Sequence, residues 1–397
     1  MGSMKNYQIE CIERGYGDNP NEVCRDCIGN KDLQNYITQN GYMSTCHYCK
    51  RRRNVVTIGS LMNPIMSGIR FSYEHANDCL GYVDGEYAGT TYSSYDLIYS
   101  ELIYELSIEN DEILKDIYET LEDEVWCEAD PYADKKYDTE FYSWKSFCEL
   151  VKKNIRYVFY KSPDVVQDAN PSNPVDILET IAGYVDKLNL IKYYMPKNRY
   201  YGQLFRGRMH SSTKELNNIT DFGPPPYQYA ASNRMSAEGI PMFYAAFDKE
   251  TVIEEIYNES DECATIASFD LKRSLLLLNL GRIQDMKLPS IFNETDRGKR
   301  SALIFLKKFA EDIARPIDDF PNIEYIPTQI VTEYFRHVFL TKDNKKLDGI
   351  VYSSAKNPTG KCVALFMTPE QFKNADVSMV DLDSIEIYKY KKRLASN

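Results

Sequence analysis

Four cysteines near the start of the chain form two pairs, Cys24-x2-Cys27 and Cys46-x2-Cys49, with eighteen residues between them. Each pair can place two thiolates on one turn, and the intervening loop can fold back to close a sulfur tetrahedron, the ligand set of structural zinc. Four thiolates leave no open coordination position, so such a site fixes a small segment with little core of its own. His47 lies inside the second pair and is the alternative ligand. A thioredoxin-like redox motif needs only one pair. The other six cysteines are scattered and read as packed side chains.

A second grouping occupies 230–256. A polar loop punctuated by Gly and Pro precedes an apolar run, 241–247, that reads as a buried strand, and 251–256 reads as the opening of a helix. Arg234 falls on the loop, Tyr244 on the strand and Glu255 on the helix. Elements in that order can converge three polar side chains on one pocket. An ordinary loop–strand–helix unit has the same pattern.

The rest of the composition narrows the class. At 397 residues the chain exceeds one typical core, so two or three domains are expected. A net charge of −12 argues against a broad nucleic-acid surface, which needs clustered Lys and Arg; Arg51-Arg52-Arg53 is the one basic run near the start. No window approaches the roughly 20 apolar residues that span a bilayer, and no signal peptide is evident, so a cytoplasmic location is expected. Reduced thiols are the norm there, consistent with metal ligation in place of disulfides.

The elements that must position these residues change character near 195. Residues 94–125, 141–160 and 174–194 carry apolar side chains at three- and four-residue steps and read as amphipathic helices, the first of them whole or as a broken pair. Polar joints fall at 128–140 and 170–174. Beyond 195, short strands alternate with loops: 200–208, 265–277, 349–352 and 363–366 read as strand, and 300–313 and 327–336 as helix. Pro224-Pro225-Pro226 form a stiff loop able to brace a pocket mouth.

Three segments in this order carry a resemblance: Leu-Phe-Arg-Gly-Arg at 204–208, the loop Arg234 with its Gly-x-Pro strand and Thr251-x-x-x-Glu255, and Asp-Gly-Ile-Val-Tyr-Ser-Ser at 348–354. Together they resemble the RES-domain family, named for an Arg, a Glu and a Ser. That resemblance implies an ADP-ribosyltransferase-like α+β fold and degradation of NAD. It implies Arg206 and Arg234 on the pyrophosphate, where guanidinium forks pair with phosphate oxygens. It also implies Tyr244 stacked on nicotinamide or donating to it, Glu255 at the ribose, and Ser354 hydrogen-bonded to ribose or the nicotinamide amide. Arg208, Glu254 and Ser353 are the neighbouring alternatives. Asn233 stands where many relatives carry Gly, a departure in the loop.

The preceding part resembles the helical N-terminal region, classed with HEPN proteins, that accompanies some RES domains. Arg70-Phe-Ser-Tyr-Glu-His75 fits the Arg-x4–6-His spacing of HEPN ribonucleases, with His as acid/base and Arg at phosphate. The expected organisation is therefore a zinc element at 1–53, a mostly helical HEPN-like domain at 54–195 and a RES domain at 196–397. The expected activity is cleavage of the nicotinamide–ribose bond of NAD with phosphate, water or a protein as acceptor, in a toxin–antitoxin or defence setting. An antitoxin or inhibitory protein is the implied partner; nucleic acid and membrane are not, and self-association is left open. Two other readings stand beside it, a regulatory nucleotide-binding module and a ribonuclease using Arg70 and His75.

Overall fold

The computed structural model describes residues 2–132, 135–161, 176–198, 201–211, 216–258, 260–314 and 321–389. It mixes helices and strands in two compact units. The first comprises 1–134 together with 288–300; the second comprises 135–287 and 301–397. The expected breaks at 53 and 195 do not coincide with this division. The four-cysteine element shares one core with the helices and strands C-terminal to it: Val23, Ile28, Leu33 and Ile37 pack with Leu61, Ile65, Ile117 and Trp126. The helices Lys136–Glu149 and Ile177–Lys187 instead pack in the second unit, through Trp144, Phe147, Ile181 and Val185. The expected joint at 170–174 lies outside the described residues.

In the first unit, helix Ile58–Ser72 buries Leu61, Met62, Ile65, Met66 and Ile69, spaced so that one face meets the core. Pro64 inside it cannot donate to the Ser60 carbonyl, and the Asn63 side-chain amide donates there instead at 3.2 Å. The expected helix over 94–125 is broken. Leu102 leads into Ile103–Leu106, Ser107 ends that turn with φ +50°, and a new helix, Asp111–Thr120, starts on an Asn110 cap. Short strands at Tyr73–His75, Tyr92–Ser93 and Val125–Glu128 form a three-stranded sheet within the part expected to be helical.

The second unit is built on an eight-stranded sheet. Its order from edge to edge is Val380–Lys389, Cys263–Leu271, Gln203–His210, Phe243–Ala246, Lys361–Leu365, Gly349–Ser353, Leu275–Asn279 and Ile191–Tyr194. All pairings are antiparallel except that of Leu275–Asn279 with Gly349–Ser353. Alternation of side chains assigns the two faces. Leu276, Leu278, Ile350 and Ala364 meet a helical layer with Phe305, Phe309 and Val331, while Leu275, Leu277, Val351 and Val363 meet Phe222 and Phe372. The strand-rich stretch at 265–277 falls in two strands, Cys263–Leu271 and Leu275–Asn279, and 191–194, expected within a helix, is the edge strand.

Candidate active site

Strands Gln203–His210 and Phe243–Ala246 are joined at one register pair, Phe205 opposite Ala246. A cavity of 490 Å³ is lined by residues of both strands, by the loop at 229–236 and by helix Lys249–Ile256. Its volume lies within the range of small-molecule sites. Arg206, Arg234, Tyr244 and Glu255 all line it, together with Arg208, Pro225, Tyr352 and Cys362.

Helix Lys249–Ile256 starts where Asp248 accepts from the backbone N–H of Thr251 at 2.6 Å and from its hydroxyl at 2.8 Å. Thr251 and Glu255, four residues apart, lie on one helical face. Thr251 Oγ1 accepts from Asn357 Nδ2 at 2.8 Å, and Glu255 Oε1 accepts from the Ser354 hydroxyl and from Ala355 N–H at 3.2 Å. The helix thus clasps the turn at 354–360 at two points. Gly360 permits the approach, since a Cβ there would lie 2.2 Å from Thr251 Oγ1. Gly207 plays the same part on the other side, where a Cβ would meet Ile256 Cδ1 at 2.5 Å. Glu254 is exposed, as the helical spacing requires.

Ser354 is buried and does not line the cavity. Besides donating to Glu255, its hydroxyl accepts from Lys356 N–H at 3.2 Å and Asn357 N–H at 2.9 Å. The groups on Glu255 Oε1, including Cys362 Sγ at 4.0 Å, all approach one oxygen, which leaves Oε2 available to a ligand. Ser353, the register alternative, sits beside Lys361 Nζ at 3.3 Å.

The Arg206 guanidinium donates to the Tyr244 carbonyl at 2.8 Å and stands 5.1 Å over the Phe243 ring. Burial pushes its pKa down to about 9, with Arg208 adding to the effect; a bound anion would offset that cost. Arg208 itself is exposed and donates to the Asp221 carbonyl. Tyr244 shares a 2.7 Å hydrogen bond with Ser236, and burial raises its phenol to about 12. Arg234 is at the tip of a tight turn closed by Asn233 N–H to the Ser236 carbonyl at 2.8 Å. Its carbonyl accepts from Thr328 Oγ1 at 2.5 Å, and its guanidinium lies 5.8 Å from the Tyr325 ring centre. Gln329 ties the same turn down through Ser232 Oγ at 3.0 Å and the carbonyls of Asn233 at 2.8 Å and Ser236 at 3.2 Å. Neither Gln329 nor Ser236 stands out in the sequence. Each acts through a partner distant along the chain or on the far side of a turn.

In the first unit, Cys24, Cys27, Cys46 and Cys49 gather with all four sulfurs within 4.8 Å of one another. Neighbouring sulfurs are 3.6 Å (Cys24–Cys27), 3.6 Å (Cys24–Cys49) and 3.9 Å (Cys27–Cys46) apart. Zinc–sulfur bonds of about 2.3 Å in a tetrahedron require sulfurs about 3.8 Å apart, so the donor set fits that ion. His47 turns away from the cluster, with Nε2 3.7 Å from Glu112. Arg70 and His75 are not brought to one site. Arg70, at the end of helix Ile58–Ser72, donates to the Glu13 carbonyl, whereas His75 stacks on Trp126 at 4.4 Å beyond that helix.

Two family models match the chain. Residues 39–165 match the HEPN/RES N-terminal domain 1 model and residues 206–385 the RES domain model. The chain belongs to the RES-domain family, in the form that carries a HEPN/RES N-terminal domain. The RES match begins at Arg206 and takes in Arg234, Tyr244, Glu255 and Ser354. No curated protein and no solved structure shows detectable similarity to it. Among the described residues, no helix is long and apolar enough to cross a membrane.

Proposed function

We propose that this chain is a NAD-consuming enzyme of toxin type that cleaves the nicotinamide–ribose bond in the 490 Å³ cavity. The observation that carries the reading is the fixed carboxylate of Glu255 facing a cavity that Arg206, Arg208 and Arg234 also line. The leaving pyridine is already cationic. As the C1′–N bond breaks, its electron pair goes to nitrogen, nicotinamide leaves neutral, and positive charge grows on the ribose. A carboxylate held at that place stabilises the oxocarbenium-like sugar, and being already hydrogen-bonded it needs no reorganisation. Phosphate, water or a protein nucleophile then adds to C1′ and gives up its proton.

Arg206 and Arg234 suit the pyrophosphate, and Tyr244, neutral across the physiological range, suits nicotinamide as donor or stacking partner. Ser354 is proposed as a positioning residue, acting through Glu255 from behind the cavity wall. The fold of the second unit is read as ADP-ribosyltransferase-like, with an antitoxin or other inhibitor restraining the activity. The four-cysteine cluster is read as a structural zinc site. Purified protein incubated with NAD should release nicotinamide, and Glu255→Ala should slow the release severely while leaving a measurable residual rate. Release only with phosphate present defines a phosphorylase, release of ADP-ribose in its absence a hydrolase, and added mass on a protein a transferase. Intact NAD in every buffer, with NAD still bound, would overturn the enzyme reading in favour of a nucleotide-binding module.

A further inference from the structure

A second cavity, of 430 Å³, lies wholly within the first unit and gathers three arginines in a protein of net charge −12. Arg14 ends the N-terminal helix Gly2–Arg14, Arg70 lies near the end of helix Ile58–Ser72, and Arg297 comes from the distant 288–300 segment. Among the described residues the remaining wall holds Tyr16, Asn63 and Ser67 with others, and no carboxylate lines it. Three like charges brought to one cavity repel one another.

Each guanidinium is also held in place. Arg14 donates to the Tyr16 carbonyl at 2.7 Å and to Asp18 at 2.6 Å. Arg70 donates through Nη2 to the Glu13 carbonyl at 2.7 Å. Arg297 donates through Nη1 to the Ser67 carbonyl at 2.7 Å and hydroxyl at 2.9 Å, and stacks 5.0 Å from the Phe71 ring. These bonds engage one or two nitrogens of each fork and leave others for a ligand. Among the described residues only Arg14 of the three has a carboxylate partner, Asp18. Glu294 lies one step further out, accepting from the Ser67 hydroxyl that also receives Arg297, so positive charge still exceeds negative around the cavity. Gly15 supplies the close approach: its φ is +80°, and a Cβ there would lie 2.9 Å from Met66 Cε and 3.4 Å from Arg70 Nη2.

We infer that this cavity is a binding site for the terminal phosphate of a small phosphomonoester, separate from the candidate active site. Guanidinium forks recognise phosphate oxygens bidentately, and here three from separate segments surround one space. His75, the acid/base of the ribonuclease reading, does not line this cavity.

The test is site-resolved. Full-length protein is treated with phenylglyoxal, and modification of each arginine is read by mass spectrometry with inorganic phosphate, AMP or adenosine present. Phosphate and AMP should protect Arg70 and Arg297, and adenosine should not. Arg70→Gln, at an exposed position and with an unchanged melting temperature as the check on folding, should weaken AMP protection of Arg297 by about tenfold or more. Equal modification with and without millimolar phosphate or AMP would overturn the inference. So would protection of Arg297 that Arg70→Gln leaves unchanged, since the anion would then be bound elsewhere.

Discussion

Replacing Ser354 by Ala separates a residue that touches the substrate from one that acts through Glu255. The hydroxyl donates to Glu255 Oε1 and does not line the cavity, so its removal should lower kcat for nicotinamide release and leave KM for NAD nearly unchanged. A hydrogen bond to a charged group contributes about 1.5–3 kcal/mol. At about 1.4 kcal/mol per factor of ten, complete loss of its effect on the transition state would slow turnover about 10- to 150-fold. The lower end is expected, because Ala355 N–H still holds Oε1 at 3.2 Å. The same change strands the N–H groups of Lys356 and Asn357, so the second unit should also lose about 1–3 kcal/mol of stability. Activity and stability losses are told apart by a double-mutant cycle with Glu255→Ala. If Ser354 works only through the carboxylate, adding Ser354→Ala to that variant costs little further activity. Losses that multiply, or a rise in KM alone, would refute the positioning role.

Three more outcomes are expected from the geometry. Elemental analysis should find one zinc per chain, and Cys46→Ala should remove it and lower the melting temperature of the first unit; wild-type protein purified without chelator and free of metal would refute the site. Gln329→Leu frees the 232–236 turn from three hydrogen bonds, so KM for NAD should rise, by roughly tenfold, through a less ordered Arg234; unchanged KM would mean that Thr328 alone fixes the turn. Burial raises the Tyr244 phenol from 10.0 to about 12, so the folded state holds its proton more tightly than the unfolded state and stability falls as pH rises from about 10 to 12. Urea titrations should show Tyr244→Phe with a shallower loss over that window, and an identical pH slope would show that the phenol is accessible to water.

What the sequence makes legible is local. Two Cys-x-x-Cys pairs imply a tetrahedron because each pair is one turn, and the four sulfurs gather accordingly. Thr251 and Glu255 share a helical face because of their four-residue spacing, and it is Glu255 that lines the cavity while Glu254 is exposed. Ser354 shows the limit. Its place in the third motif implied contact with the ligand, but the chain turns at the end of Gly349–Ser353, and the hydroxyl lies behind Glu255. That direction depends on the turn at 354–360 and on Gly360, features no strand pattern encodes. For 94–125 the sequence leaves a whole helix and a broken pair both open, since apolar spacing persists across Ser107, where the backbone takes φ +50°.

Domain boundaries were the least legible feature, because the first unit is completed by residues far along the chain. The 288–300 segment lies inside the RES match, yet Ile291 and Phe292 are buried in the first unit's core. Gly68 faces Phe292 so closely that a Cβ would stand 2.5 Å from its ring. Asn293 donates to Asp32 at 2.8 Å, and Arg300 pairs with Glu105 at 2.8 Å. Burying one Ile and one Phe contributes about 1.5–3 kcal/mol each. Against a typical total of about 5–15 kcal/mol, that is enough to decide whether the unit folds. A fragment of residues 1–134 should accordingly be unstable and protease-sensitive, and a peptide spanning 288–300 should restore protection when added in trans. Phe292→Ala in that peptide should abolish the rescue. A fragment already folded and protease-resistant on its own would show that the segment merely rests on a finished core.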